Sequence, residues 1–132
     1  MHAQLTQSQI ALLKEPHIGF VVTLMKDGSP QVTPVWLDTD GRHVLVNTAE
    51  GRVKTRNLRR DPRVAVSVVD ADQPYSRVLN IAGKAVEITT EGAEDHIDAL
   101  SKRYTGRFPY PSHDPNHPRL IVKILPEKIS GR

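Results

Sequence analysis

Asn47-Thr48-Ala49-Glu50-Gly51-Arg52-Val53-Lys54-Thr55-Arg56-Asn57-Leu58-Arg59-Arg60-Asp61-Pro62-Arg63 is the stretch on which the reading of the chain turns. A β-type run ends at Thr48, a glycine loop follows, and Val53 to Arg60 reads as a short helix. Asp61-Pro62 closes it, because the residue before a proline avoids helical geometry. The first N–H groups of a helix lack partners within it, and the helix dipole favours an anion there. Arg52 is suited to grip phosphate oxygens through two parallel N–H bonds, and Lys54 adds a point charge. Thr48 and Thr55 offer hydroxyl donors. Six cations fall in the twelve residues from Arg52 to Arg63. Such clustering points to an anionic partner, although the same run also fits a solvated basic helix.

Working outward, the flanking segments read as strands. On the N-terminal side, Ile18 to Lys26 carries Ile18, Phe20, Val22 and Leu24 on one face. Asp27-Gly28 turns the chain into Gln31 to Asp38, and Asp40-Gly41 turns it again into His43 to Thr48. Asp-Gly between such runs favours hairpins, because the turn needs positive φ. On the C-terminal side, Arg63 to Asp70 alternates through Val64, Val66 and Val68. Arg77 to Thr89 reads as the longest strand. Its apolar phase changes from Leu79 and Ile81 to Val86 and Ile88, which a bulge near Gly83 would reconcile. Arg119 to Leu125 is the last strand.

Helices punctuate this pattern. Thr6 and Gln9 form a capping box for a short first helix with Ile10 and Leu13 on one face, ended by Pro16. Ala93, Ile97, Leu100 and Tyr104 make one apolar stripe along Glu91 to Tyr104. Thr105 to Pro118 holds four prolines and little periodicity, as an ordered loop or lid would. The fold expected is mainly β: six antiparallel strands closed into a small barrel, since closure removes exposed edges. Ile18 to Met25 and Val64 to Val69 are apolar on both faces, so the outer face calls for a partner subunit.

The chain has 132 residues, 38% of them hydrophobic and 25% charged, with a formal net charge of +3. That length fits one domain over residues 1–132. Absence of cysteine excludes disulfides, thiolate metal sites and a cysteine nucleophile. No stretch approaches the roughly 20 apolar residues of a membrane helix, and Met1 to Lys14 has no signal-peptide core. A cytoplasmic, soluble protein is expected. No P-loop, Gly-x-Gly-x-x-Gly or Gly-x-Ser-x-Gly motif occurs.

Two further clusters bear on chemistry. In Thr33-Pro34-Val35-Trp36 the proline cannot donate to a ladder, which marks an edge or bulge against which a planar group could lie. An edge proline beside a core tryptophan fits the same residues. His113-Asp114-Pro115-Asn116-His117 spaces two histidines as on a helix face, but Pro115 within it and Pro118 beside it oppose a helix, so no metal site is assigned.

Ile18-Gly19-Phe20-Val21-Val22-Thr23, the hairpin Asp27 to Trp36, Lys54-x-x-Asn57-Leu58-x-x-Asp61-Pro62-Arg63 and Leu120-Ile121-Val122-Lys123-Ile124 occur here in one order. In that order they resemble the pyridoxamine 5′-phosphate oxidase-like split β-barrel family, and within it the flavin/deazaflavin oxidoreductases that use coenzyme F420. The resemblance implies a split β-barrel, and a homodimer with two cofactor sites at the subunit interface. It implies that Arg52 and Lys54 hold the cofactor phosphate, with Asn57 supporting the loop and Thr55 beside it. Thr33, Pro34, Val35 and Trp36 would line the ring, and Asn47 and Thr48 would contact the ribityl chain or ring edge. The partner's strand 77–80 would reach the site. Coenzyme F420 is the expected cofactor, since Arg56, Arg59 or Arg60 could receive its longer acidic tail; FMN is the alternative.

The activity implied is hydride transfer from reduced deazaflavin to a small unsaturated acceptor. The cofactor supplies that chemistry and the protein supplies orientation. No catalytic side chain is assigned; Tyr104, Tyr110 and His113 are candidate proton donors. Three other readings stand beside this one: an FMN-binding oxidase or flavin reductase, a cofactor carrier without turnover, and a nucleic-acid module using Arg52 to Arg63. The last is disfavoured by the scarcity of aromatics among those cations.

Overall fold

The computed structural model describes residues 3–131. Its elements run α1 (Gln7–Lys14), β1 (Gly19–Leu24), β2 (Pro30–Val35), β3 (Leu37–Thr39), β4 (Val44–Ala49), α2 (Val53–Arg60), β5 (Arg63–Val69), β6 (Val78–Thr89), α3 (Ala93–Thr105) and β7 (Arg119–Gly131). Every strand pairing is antiparallel.

Seven strands form the sheet rather than six, because the run expected as one strand from Gln31 to Asp38 is broken at Trp36. The strand order is β2-β1-β5-β6-β7-β4-β3. β2 and β3 therefore occupy opposite edges of the sheet, although only Trp36 separates them in the chain. That connection closes the sheet on itself, the split barrel expected. The break has a local cause. Pro34 brings no N–H to the ladder, and beyond Trp36 the Leu37 backbone is met by the Tyr104 hydroxyl, at 2.9 Å from its nitrogen and 3.1 Å from its oxygen.

Alternation fills the barrel as the spacing requires. Val21, Val44, Val46, Val64, Val66, Val68, Leu79, Ile81, Val122 and Ile124 are buried in one cluster. Residues of the opposite phase face outward: Phe20 stays 48% exposed and Val32 56%. α1 caps one end with Leu12 and Leu13; Leu12, outside the expected face, is as much core as Leu13. Its capping box is present, with Gln9 N donating to Thr6 Oγ1 and Thr6 N to Gln9 Oε1. α3 lays Ala93, Ile97 and Leu100 against the barrel.

The phase change in β6 is resolved by two register shifts against β7, one at Ala82/Gly83 and one at Ala85/Glu87. A side chain on Gly83 would run into the Leu125 carbonyl. Val86 is the extra residue of the second shift and remains 51% exposed, so of the pair Val86 and Ile88 only Ile88 packs on the core. β7, at thirteen residues, is longer than β6 and continues to Gly131 rather than stopping at Leu125. No helix among the described residues is long and apolar enough to cross a membrane.

Candidate functional site

A cleft of about 310 Å³ opens where β2 hands over to β3. One wall is Ile18, Pro34, Val35 and Trp36, and the floor includes Ile97 and Leu100 of α3. The opposite wall carries Asn47 of β4, Arg52 and Lys54 at the start of α2, Tyr110 of the 106–118 loop and Arg119 of β7. A second hollow, lined by Gly51, Ser112, Asp114 and His117, shares Arg52 and Arg119 with the first.

The loop before α2 owes its shape to Gly51, whose φ of +87 disfavours a side chain. Helix α2 then starts at Arg52 with no side-chain cap. Behind the loop, Thr48 Oγ1 meets Thr55 Oγ1 at 3.2 Å, and Thr55 Oγ1 donates to the Ala49 carbonyl at 3.0 Å. Asn57 Nδ2 donates to Thr23 Oγ1 at 3.0 Å, while Asn57 Oδ1 accepts from Arg60. These bonds fasten α2 to β1 and β4. Thr48, Thr55 and Asn57 are all buried, so they build the wall from behind rather than face the cleft. Thr33 touches it indirectly, accepting from Lys54 Nζ at 3.5 Å.

The basic cluster divides. Arg56 donates to the Gly51 carbonyl, Arg59 forms a two-pronged pair with Glu50, Arg60 donates to the Leu24 carbonyl and Arg63 pairs with Asp61. Among the described residues Arg52, Lys54 and Arg119 have no salt-bridge partner, and all three line the cleft. Burial, then the charges of Arg52 and Arg119, push the Lys54 ammonium below its ordinary range. Burial likewise lowers Arg119, which stays charged all the same. Three cations without a salt bridge, of which only Arg119 feels a nearby carboxylate, that of Glu94, make the cleft a ready site for an anion.

The aromatic side is built around Trp36. Its ring stacks on Tyr104 at 5.4 Å and meets Tyr110 edge-on at 6.2 Å. Arg119 lies over the Tyr110 ring at 5.3 Å. The Tyr104 hydroxyl is engaged by backbone, and burial raises its pKa, so its structure suits a brace better than a proton donor. His113 sits between Asp98 and Glu94, each at 2.6 Å, and ties the loop to α3. His117 pairs with Asp114 instead, so the two histidines of this segment do not converge. Elsewhere Glu15, His17 and Asp70 come within ligating distance of one another, but Arg77 bridges Glu15 and Asp70 at 2.9 and 2.6 Å.

The sequence pattern described as pyridoxamine 5′-phosphate oxidase matches residues 5–132. The chain belongs to this family. It is similar to an F420H(2)-dependent biliverdin reductase of Mycobacterium tuberculosis (strain CDC 1551 / Oshkosh), 29% identical over 97% of this chain and 88% of that protein. A solved structure called F420 reductase superposes with a TM-score of 0.85 at 31% identity, over 97% of this chain and all of that one. A conserved protein of Mycobacterium tuberculosis superposes at 0.72 with 26% identity, over 95% and 82% of the two chains. The cleft residues that local reasoning missed are Arg119, Ile18, Ile97 and Leu100, whereas Tyr110, singled out as a candidate proton donor, does line the cleft. Arg119 carried one signal, a cation opening a largely apolar strand.

Proposed function

We propose that this chain is a coenzyme F420-dependent oxidoreductase that reduces a small unsaturated organic molecule. The observation that carries the reading is the convergence of Arg52, Lys54 and Arg119, none of them in a salt bridge, on a cleft walled by Trp36. That donor set suits a phosphate-bearing, planar cofactor. Names of relatives that pair F420 with reductase activity support it.

When bound, the reduced deazaflavin supplies a hydride to the acceptor. The chain's own residues bind and orient. Arg52 and Lys54 hold phosphate oxygens at the uncapped start of α2, and Arg119 faces them from β7. Pro34, Val35 and Trp36, with Thr33 behind Lys54, position the ring. Asn47 lies beside them, and Thr48, Thr55 and Asn57 keep the clamp rigid from behind. Tyr110 and the loop that His113 ties down shield the cleft from water. Residues 1–132 act as one cofactor-binding domain in a cytoplasmic homodimer, with sites at the subunit interface. The outward Phe20 and Val32 support that assembly, since apolar residues on one exposed sheet face favour a partner. Arg56, Arg59, Arg60 and Arg63 are engaged within the chain, which takes support from the nucleic-acid reading and equally from the expectation that they receive the acidic tail of F420, so the preference for F420 rests on the relatives.

Side-by-side fluorescence titrations of the purified protein with F420 and FMN test the reading. Saturable, tighter binding of F420 is expected. Tight FMN binding with no F420 binding would overturn it in favour of the flavin alternative.

A further inference from the structure

Asp38 and His96 lie outside the cleft, yet a line of side chains runs from them into it. Asp38 Oδ2 meets His96 Nε2 at 3.0 Å, His96 Nδ1 meets Asn47 Nδ2 at 3.2 Å, and Asn47 Oδ1 meets Arg119 Nε at 2.8 Å. The chain crosses four elements, β3, α3, β4 and β7. Among the described residues no buried side-chain nitrogen or oxygen is left without a partner.

Each link has one direction. Asp38 Oδ1 accepts from Lys14, from the Thr39 amide and from Arg103. Burial would raise this carboxyl, but the bonds from His96, Lys14, Thr39 and Arg103 outweigh it and hold it well below the usual range. It is thus a carboxylate and only accepts. His96 must carry a proton on Nε2, and because the Asn47 Nδ2 group that its Nδ1 faces also donates to the Ala93 carbonyl, Nδ1 offers a lone pair. The Asn47 amide must then turn its NH₂ group to His96 and to the Ala93 carbonyl, 2.9 Å away, another group that only accepts. Its oxygen remains for Arg119 Nε, which only donates.

We propose that His96 is a positioning residue whose tautomer, set by Asp38, orients Asn47 so that it pins Arg119 and presents the guanidinium to an anion in the cleft. The substituent recognised is a phosphate or carboxylate of the bound cofactor, so this part rests on the cofactor reading; the direction of the relay does not. A network that merely glued α3 to the barrel would tolerate either direction. This one does not, because reversing it sets the Asn47 NH₂ group against Arg119 Nε–H, and its oxygen against the Ala93 carbonyl.

Asp38→Asn performs the reversal with almost no change of shape. Lys14, Arg103 and the Thr39 amide all donate to the Oδ1 position, so the asparagine oxygen belongs there and its NH₂ group faces His96. His96 then takes its proton on Nδ1. The test is long-range ¹H–¹⁵N spectroscopy of histidine and arginine side chains in the full chain without cofactor, followed by titration with F420 and with FMN. In the wild type, His96 is expected as the Nε2–H form and Arg119 Nε–H as a protected signal. In Asp38→Asn the tautomer switches, the Arg119 signal loses protection, and affinity for the cofactor falls by about tenfold or more, as loss of a charge-assisted bond would produce. In an Arg119→Ala background the same substitution has no further effect on affinity.

His96→Ala, which spares the Asp38 ion pairs, serves if Asp38→Asn does not fold, and the Arg119 signal and the affinity are again expected to fall. A wild-type His96 protonated on Nδ1, or an Arg119 Nε–H and an affinity unmoved by either variant, would overturn the proposal. If neither cofactor binds the wild type, the cofactor reading fails alone, and the spectra still decide the relay.

Discussion

The Tyr104 hydroxyl oxygen lies 2.9 Å from the Leu37 amide nitrogen and closes the barrel where strand pairing stops. It accepts that N–H and has one proton to give, to the carbonyl of Leu37 or of His17, each at 3.1 Å. Tyr104→Phe keeps the ring on Trp36 and removes the acceptor. A buried amide left unpaired costs about 1–3 kcal/mol. The urea midpoint is expected to fall at unchanged slope, and F420 affinity to fall with it as the β2–β3 break loosens. A wild-type midpoint would show that the hydroxyl does not brace the break.

Lys54→Met separates binding from stability. A charge-assisted bond to a phosphate is worth about 1.5–3 kcal/mol, so F420 affinity is expected to drop by roughly tenfold to a hundredfold. Thermal stability should hold or rise, because Lys54 is a half-buried cation facing Arg52 and Arg119. The pH dependence follows from its lowered pKa: the phosphate needs the charged ammonium, which is present at low pH and lost as pH rises through a value below that of a free lysine. Titrations into the alkaline range should show affinity falling early in the wild type, with that limb missing in the Met variant.

Asn57→Ala removes the bond that fastens α2 to β1 and leaves Thr23 Oγ1 without its donor. Loss of about 1–3 kcal/mol of stability is expected. Calorimetry should detect it without ligand, whereas Arg52→Ala should leave the melting temperature unchanged and weaken only binding. Equal melting temperatures for the two variants would place Asn57 outside the framework.

His113 gives the loop a pH-sensitive latch. Its bond to Asp98, and then that to Glu94, raise its pKa above the ordinary imidazole value. A raised value means the latch is complete below that ordinary value and is lost as pH climbs through the higher one. Protease nicking in 106–118, and amide exchange there after correction for its intrinsic rise with pH, should therefore increase across that window in the wild type. In His113→Gln the loop should be equally accessible throughout, and a wild-type loop indifferent to pH would remove the latch.

Phe20 and Val32 test the assembly. Both are large apolar residues on the outer face of β1 and β2 and are half exposed in the single chain. Val32→Glu should leave the fold intact by circular dichroism and halve the mass measured by light scattering. An unchanged dimer would move the interface elsewhere, and a monomeric wild type would remove it.

Much of the fold was legible because its signals are local. Thr6 and Gln9 state a helix start within four residues, Asp61-Pro62 states a helix end, and Val64, Val66 and Val68 state which face of a strand is buried. Arg52 and Lys54 were legible as cations at a helix start because a glycine loop lies beside them, and both line the cleft. Val86 was misjudged because a bulge shows as a change of phase without saying which residue is extra.

By itself, then, the sequence determined the succession of strands and helices, the turn positions and the cation-rich helix start after Gly51, since each depends on neighbours a few bonds away. Only the tertiary structure decided that the strand through Trp36 is cut to close the barrel, because that cut depends on Tyr104 arriving from α3. Tertiary contacts alone separated Arg52 and Lys54 from Arg56, Arg59, Arg60 and Arg63, because a cation is free or paired according to which acceptor the fold brings within reach. They also brought Arg119 to the clamp and ordered Asp38, His96 and Asn47 behind it. No periodicity encodes those meetings: they join residues far apart in the chain, and hydrogen-bond direction is settled only once donors and acceptors face one another.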